Sequence, residues 1–324
     1  MLIINAEETR QLLSMPDCID AMAKAMIATS RQSILIPPRT LFYLQDNSGF
    51  FAVMPGASQE LQAYGAKVVS YHGSNASRSR PPIQGFVTLF DHQTGEPRAI
   101  IDGGIITNIR TAAASGLATR SLARGDSRSC GLLGAGALAD MHIEAMCEVR
   151  PIERFVIWAR NFDQARALAD RHSNRKGVTF QATRDPREAA ACDVICTLTA
   201  SPDPVLHGRW VKPGAHINLV GAHSLGSREA DTELIQKSRI YVDSLESTKN
   251  EGGDIMIPVQ EGALDENRIM GEIGQLLSGE IEGRKDGHDI TEYNSLGITA
   301  QDMYAALHVL NEAIRLDMGT QVDF

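Results

Sequence analysis

Cys130-Gly131-Leu132-Leu133-Gly134-Ala135-Gly136-Ala137-Leu138-Ala139 is the stretch on which the reading of the fold turns. A short apolar run ends at Gly134 and Gly136, Ala139 fills the third small position, and Ala137 to Cys147 has the pattern of a helix. Strand, tight turn and helix in that order are the layout of a dinucleotide fingerprint. Small residues let the backbone approach a pyrophosphate, which then sits against the unpaired N–H groups and the positive dipole end of the helix. The same glycine spacing also occurs in ordinary turns, so the flanking chain has to decide.

Downstream, strands and helices alternate. Strands are expected at Cys130 to Leu133, Arg154 to Trp158, Val178 to Gln181, Val194 to Thr197, Ala215 to Val220 and Ile240 to Val242. Helices are expected from Ala137 to Cys147, Asp163 to Ser173 and Pro186 to Ala191. This βαβ alternation is what a parallel sheet with crossover helices requires, and it favours a Rossmann-type unit over a plain turn. From Gly252 to Gly287 eight glycines predict a loop-rich segment with short helices at best.

Upstream the pattern differs. Asn5-x-x-Glu8 has the form of a capping box, and after Ser14-Met15-Pro16-Asp17 the residues Ile19, Met22, Ala23, Met26 and Ile27 share one helical face. Beyond Pro37-Pro38, short β-rich runs (Arg39 to Leu44, Phe50 to Met54, Tyr64 to Tyr71, Gly85 to Phe90, Arg98 to Ile101) are separated by turn-formers such as Asp46-Asn47-Ser48-Gly49. They predict an antiparallel meander. A small-residue helix follows from Ile106 to Leu122, and a final helix from Thr299 to Leu316 carries Met303, Leu307, Leu310 and Ile314 at helical spacing. The expected fold class is α/β, a Rossmann-type dinucleotide-binding domain over 113–299 plus an α+β domain formed by 1–112 and 300–324.

Composition bounds the function. A chain of 324 residues is long for one core, and 43% hydrophobic with 22% charged residues suits a packed, water-soluble protein. The net charge of -9 disfavours a nucleic-acid or anionic-membrane surface as main partner. No apolar run approaches the roughly 18 to 20 residues of a membrane span, and the N-terminus lacks a signal-peptide pattern, so a cytosolic location is expected. The five cysteines (Cys18, Cys130, Cys147, Cys192, Cys196) are scattered, and Cys192-x-x-x-Cys196 has no histidine at metal spacing. They are read as reduced thiols, with no metal expected.

Three positions carry chemistry on spacing alone. About 20 residues after the glycines, where an acidic residue would accept a ribose 2'-hydroxyl, the chain has Ala159 and Arg160. An Arg there suits a 2'-phosphate, so NADP(H) is favoured, with NAD(H) still possible because Asp163 could reach a ribose. Arg39 and Lys67 each lie beside apolar β stretches, either as exposed charges or as partners for a carboxylate ligand.

Gly49-Phe50-Phe51-Ala52-Val53-Met54-Pro55, Lys67-Val68-Val69, Leu89-Phe90-Asp91-x-x-Thr94-Gly95-Glu96-Pro97-x-Ala99, Asp102-Gly103 and Thr107-x-x-Arg110-Thr111-Ala112-Ala113 together resemble the ornithine cyclodeaminase and mu-crystallin family. Gly134-Ala135-Gly136-Ala137, Asn218-Leu219-Val220-Gly221-Ala222, Gly253-Asp254, Ser295-x-Gly297 and Asp302 extend the resemblance in the same order. It implies that Arg39 and Lys67 hold a substrate carboxylate, with Lys67 next to the reacting carbon, and that Leu296 and Gly297 line the substrate. It implies cofactor contacts from Arg110, Thr111, Gly134, Gly136, Ala137, Leu138, Arg160, Asn161, Thr197, Val220 and Ser295. It also implies a homodimer formed through the meander domain.

One position departs from the family's cyclodeaminases, which carry Asp after the Gly-Gly or Gly-Ala pair: here His223 follows Gly221-Ala222. An imidazole can donate or accept a proton near neutral pH, but it lacks a carboxylate's charge against a substrate ammonium. The departure favours an NAD(P)H-dependent reductase of a small cyclic ketimine carboxylate, such as Δ1-pyrroline-2-carboxylate to L-proline, with Lys67 and His223 catalytic. Ornithine cyclodeaminase, an alanine-dehydrogenase-like enzyme and a non-catalytic NADPH binder are the alternatives.

Overall fold

The computed structural model describes residues 1–78, 80–81 and 83–323. Its backbone divides into two compact units, one formed by Met1–Arg110 with Ile298–Phe324 and the other by Thr111–Gly297.

The first unit holds six labelled strands, β1 (Leu2–Ile4), β2 (Thr40–Tyr43), β3 (Gly49–Ser58), β4 (Ala63–His72), β5 (Ile83–Asp91) and β6 (Pro97–Asp102). With the short strand Thr320–Gln321 they form one sheet in the order Thr320–Gln321, β1, β6, β5, β4, β3, β2. From β2 to β6 every pair is antiparallel, which is the expected meander, and the β3–β4 register sets Met54 opposite Lys67. β1, which pairs parallel to β6, is an element the sequence pattern does not predict. Three residues are too few to show an alternation.

Helices Met15–Ser30 and Thr299–Leu316 pack on each other, and the latter also on β3, β4 and β5. Met22, Met26, Cys18 and Met303 are fully buried there, so the methionines are core filler. Ile314 is 58% exposed, so the apolar stripe of the last helix ends before the spacing predicts. Asn5 closes a true capping box: its side chain accepts from the Glu7 and Glu8 amides, while Glu8 accepts from the Asn5 amide at 2.9 Å.

The second unit holds β7 (Ser129–Leu133), β8 (Arg154–Trp158), β9 (Thr179–Thr183), β10 (Val194–Thr197), β11 (His216–Leu219), β12 (Ser238–Val242), β13 (Ile269–Glu272) and β14 (Ile290–Asn294). All pair parallel, in the order β13-β12-β14-β11-β10-β7-β8-β9. Strands buried on both faces read as continuous apolar runs, and β7 and β10 are buried throughout. Order reverses between β7 and β10, so the crevice outside their carboxyl ends is the topological switch point of a Rossmann-type sheet.

Two expectations are corrected here. The helix after the glycines spans Ala139–Val149, two residues later than expected, because residues 136–138 form a turn closed by the Ala139 amide on the Gly136 carbonyl at 3.1 Å. The stretch 252–287 is loop-rich with the short helices Gly253–Gln260 and Ile273–Leu277, as expected, but it also contains a strand, β13, that was not. Just beyond it, β14 is a central strand that the sequence reading left unassigned, between β11 and β12. Its residues Thr291, Glu292 and Asn294 are polar yet buried, which hides the strand from hydrophobic patterning.

Cys18, Cys130, Cys192 and Cys196 are buried, Cys147 is half-buried, and all five are free thiols. Among the described residues no helix is long and apolar enough to cross a membrane.

Candidate functional site

In the second unit the residues singled out in sequence gather at the carboxyl edge of the parallel sheet. Gly134 and Gly136 follow β7, Arg160 and Asn161 follow β8, Thr197 ends β10, Val220 and His223 follow β11, and Ser295 follows β14. Carboxyl-end loops are where sheets of this order bind ligands.

The glycine turn has two different requirements. Gly134 takes φ +121, its amide donates to the Trp158 carbonyl at 2.8 Å, and a Cβ there would lie 2.6 Å from the Leu198 carbonyl oxygen. Only glycine fits. Gly136 is exposed, and a Cβ there would meet nothing within 4 Å, so the protein itself does not demand a glycine. That open side leaves room for a ligand to approach the backbone. None of the backbone amides of residues 135–138 is spent on another described residue, and helix Ala139–Val149 has no side-chain cap. These are the donors that an anion at a helix start uses.

Further along the edge, the Ser295 hydroxyl is buried with no hydrogen-bond partner among the described residues, although the Ser295 amide donates to the Leu219 carbonyl at 2.8 Å. An orphaned buried hydroxyl marks a place for an external polar group. The open turn, its unspent amides and the orphaned hydroxyl all fit a dinucleotide.

Other positions are already engaged. The Asn161 side chain accepts from the Asp163 amide and caps helix Phe162–His172. The Thr197 hydroxyl donates to the Glu229 carboxylate at 2.6 Å. The amides of Leu296 and Gly297 both donate to Asp243 Oδ2, at 3.0 and 2.7 Å, with Gly297 at φ +77, and Leu296 is buried. Ala137 is exposed and Leu138 half-buried, while His223 lies on the exposed turn after β11.

In the first unit Lys67 is only 4% exposed, and its Nζ lies 2.8 Å from Asp302 Oδ2. Arg110 Nε reaches Asp302 Oδ1 at 3.0 Å, and Arg110 Nη1 donates to Gln301 Oε1 at 2.8 Å. Arg110 and Thr111 sit on helix Gly103–Leu122, both buried. Half-buried Arg39 stands just before β2, close enough for its charge to act on Lys67.

Burial pulls the Lys67 ammonium down to about 8; Asp302 opposes the shift and Arg110 adds to it. Burial works against the Asp302 charge, yet Arg110 and Lys67 together hold that carboxyl below its ordinary range. Among the described residues, Asp302 is the one carboxylate paired with either buried cation. Asp302 belongs to the family resemblance, but the sequence shows no partner for it, since Lys67 and Asp302 are far apart in the chain.

A parallel sheet of this order with an open glycine turn at its switch point defines a nucleotide-binding α/β protein. The chain belongs to the ornithine cyclodeaminase/mu-crystallin family, which matches residues 1–316. It is 32% identical over 326 residues to the Δ1-pyrroline-2-carboxylate reductase of Bacillus cereus, covering 100% of both chains. Its structure superposes on Thermococcus litoralis Δ1-pyrroline-2-carboxylate reductase in complex with NADH and L-proline at TM-score 0.96, with 34% identity, covering 99% of this chain and 100% of that one. An archaeal alanine dehydrogenase dimer with bound NAD aligns at TM-score 0.93 and 30% identity, covering 100% of this chain and 99% of that one.

Proposed function

We propose that this protein is an NAD(P)H-dependent reductase of a small cyclic ketimine carboxylate, converting Δ1-pyrroline-2-carboxylate to L-proline. The observation that carries the reading is the buried cluster in which two cations, Lys67 and Arg110, share the carboxylate of Asp302. Among the described residues one positive charge of this cluster has no counter-ion, and a desolvated cation is costly unless an anion joins it. A substrate carboxylate supplies that anion. The similarity to relatives named Δ1-pyrroline-2-carboxylate reductase supports the same reaction.

In this reading the second unit supplies most of the dinucleotide contacts and the first unit the cations of the substrate site. Lys67 and Arg39 hold the carboxylate, Leu296 and Gly297 bound the substrate pocket, and Asp302 keeps Lys67 in place. Arg110, Thr111, the turn from Gly134 to Leu138, Thr197, Val220 and Ser295 hold the cofactor. When bound, NAD(P)H supplies a hydride to the carbon of the C=N bond. His223 gives a proton to the imine nitrogen, a task within reach of an imidazole near neutral pH. Because His223 replaces the carboxylate that the cyclodeaminases use, loss of ammonia is not the expected reaction. The five free thiols suit a reducing compartment, the cytosol.

The test is a panel of cyclic imines and open-chain amino acids with NADH and NADPH. Oxidation of the reduced cofactor with the cyclic imine carboxylate supports the reading. Ammonia from ornithine, reduction of NAD with alanine, or dinucleotide binding without turnover would replace it by a cyclodeaminase, a dehydrogenase or a binder respectively.

For the cofactor, the cations after β8 and β9 favour NADP(H), with NAD(H) accepted more weakly. Arg160 is exposed, and Arg184, on the neighbouring strand end, lays its guanidinium 4.0 Å over the Phe162 ring. Two guanidinium groups on adjacent strand ends suit a 2'-phosphate.

The chain is further proposed to act as a homodimer through β2. All four residues of that edge strand are exposed, Phe42 by 53% and Tyr43 by 68%, and the aromatic contacts Phe42–Phe51 and Tyr43–Phe50 continue onto β3. An apolar edge strand invites pairing with a second copy.

A further inference from the structure

Behind the turns at the carboxyl edge lies a buried carboxylate that the reaction described above does not use. Glu229 is fully buried, and four donors converge on its two oxygens. Oε1 accepts from the Thr199 amide at 2.7 Å and the Thr199 hydroxyl at 2.6 Å. Oε2 accepts from the Thr197 hydroxyl at 2.6 Å and the Gly221 amide at 2.6 Å. An ionised carboxylate is the side chain that only accepts hydrogen bonds and has two oxygens to do so. Burial holds the Glu229 carboxyl above its ordinary range, and the hydrogen bonds from the two threonines and the Gly221 amide offset that shift only in part.

The donors come from two separate stretches. Thr197 ends β10 and Thr199 lies two residues beyond it, whereas Gly221 lies in the turn after β11. Gly221 is a glycine for a steric reason, since a Cβ there would lie 1.9 Å from the Thr199 carbonyl oxygen and 2.7 Å from the Glu229 carboxyl carbon. Glu229 is held in turn: its own amide and that of Ala230 donate to Asp254 Oδ1, at 2.7 and 2.8 Å. The Gly221 amide therefore closes the loop 221–229 at its base, and His223 rides on that loop.

We propose that Glu229 is a positioning residue for the nicotinamide end of the dinucleotide site, tying the end of β10 to the turn after β11 and so fixing the backbone that carries Val220 and His223. The proposal rests on the dinucleotide reading given above. It assigns Gly221 a specific task, which is to let a carboxylate reach the main chain from behind. Asp254 acts one step further back, through the backbone of Glu229.

The experiment compares NADH with ADP-ribose, which shares the pyrophosphate but lacks the nicotinamide. Glu229→Gln puts an amide N–H₂ among the donors, and two of the four lose their acceptor. The expected result is NADH binding weaker by about tenfold, ADP-ribose binding changed by less than about threefold, and kcat lower by about tenfold or more. A general loss of structure would weaken both ligands together, so an unchanged ratio of the two dissociation constants overturns the proposal. Should Glu229→Gln fail to fold, Thr199→Val decides, because it removes one hydroxyl donor and keeps the carboxylate. It is expected to move the same ratio by about threefold, and a ratio equal to that of the unmodified protein overturns the proposal. Failure of the unmodified protein to bind NADH and NADPH would refute the dinucleotide reading itself, and the proposal with it. Normal binding with an unmoved ratio refutes only the role of Glu229.

Discussion

Replacing Lys67 by Met separates its two possible roles, because charge and packing predict opposite signs for stability. The ammonium is pulled from 10.5 to about 8 inside the first unit. At about 1.4 kcal/mol per pH unit, that places the charged form on the order of 3 kcal/mol above its cost in water, after the Asp302 pairing is counted. The sign follows from linkage. Between pH 8 and 10.5 the unfolded chain binds more protons at this position than the folded one, so the destabilisation is full below pH 8 and fades as pH rises. Met has a similar length and no charge, and it leaves Arg110 and Asp302 as a matched pair. The variant is therefore expected to be at least as stable as the parent at pH 7, with a gain of up to roughly 3 kcal/mol that vanishes by about pH 10.5. Turnover should move the other way. Removing one partner of a buried charge pair costs about 2 to 5 kcal/mol, or some 30- to several thousand-fold in kcat/KM for the imine. Thermal denaturation from pH 7 to 10.5 and steady-state rates check both halves. A variant that loses about 3 kcal/mol at pH 7 yet keeps kcat/KM within threefold would show that Lys67 is structural and refute the reasoning.

The two glycines of the nucleotide turn should behave differently. Gly134→Ala forces a side chain into φ +121 against the Leu198 carbonyl and is expected to lose about 1 to 3 kcal/mol of stability along with NADH affinity. Gly136→Ala should keep its melting temperature and lose NADH or NADPH affinity alone, by about tenfold, as read by fluorescence titration. Arg160→Ser is expected to weaken NADPH by about tenfold or more while changing NADH by less than about threefold; equal effects on both would remove the 2'-phosphate assignment. Phe42→Lys on the edge strand should convert a dimer to a monomer in sedimentation, and an unchanged oligomer would place the interface elsewhere.

The glycine turn and the alternation after it were enough to read a Rossmann-type sheet, because parallel strands buried on both faces announce themselves as apolar runs. Strand β14 escaped because it buries Thr291, Glu292 and Asn294, whose polarity outweighs their β-forming neighbours in any local pattern. The antiparallel meander was legible from its turn residues, while three-residue β1 was not. At the site, Lys67 and Arg39 could be flagged as cations beside apolar stretches. Spacing cannot reveal that Lys67 and Arg110 meet the same Asp302, since that depends on the last helix returning to the sheet. Glu229 was equally silent: its importance comes from four donors that converge only in three dimensions.

The placement of β14 also bears on how the chain is made. A ribosome delivers β11 and β12 long before Ile290–Asn294, yet β14 is the strand that must slot between them. Until it arrives, two parallel strand edges stand open in the nascent second unit. Asp302 emerges later still, so Lys67 and Arg110 wait for their counter-ion while more than half the protein is synthesised. Both units thus reach their final state only once residues 290–302 have emerged, and chains stalled or truncated before them are the species most exposed to aggregation through those edges.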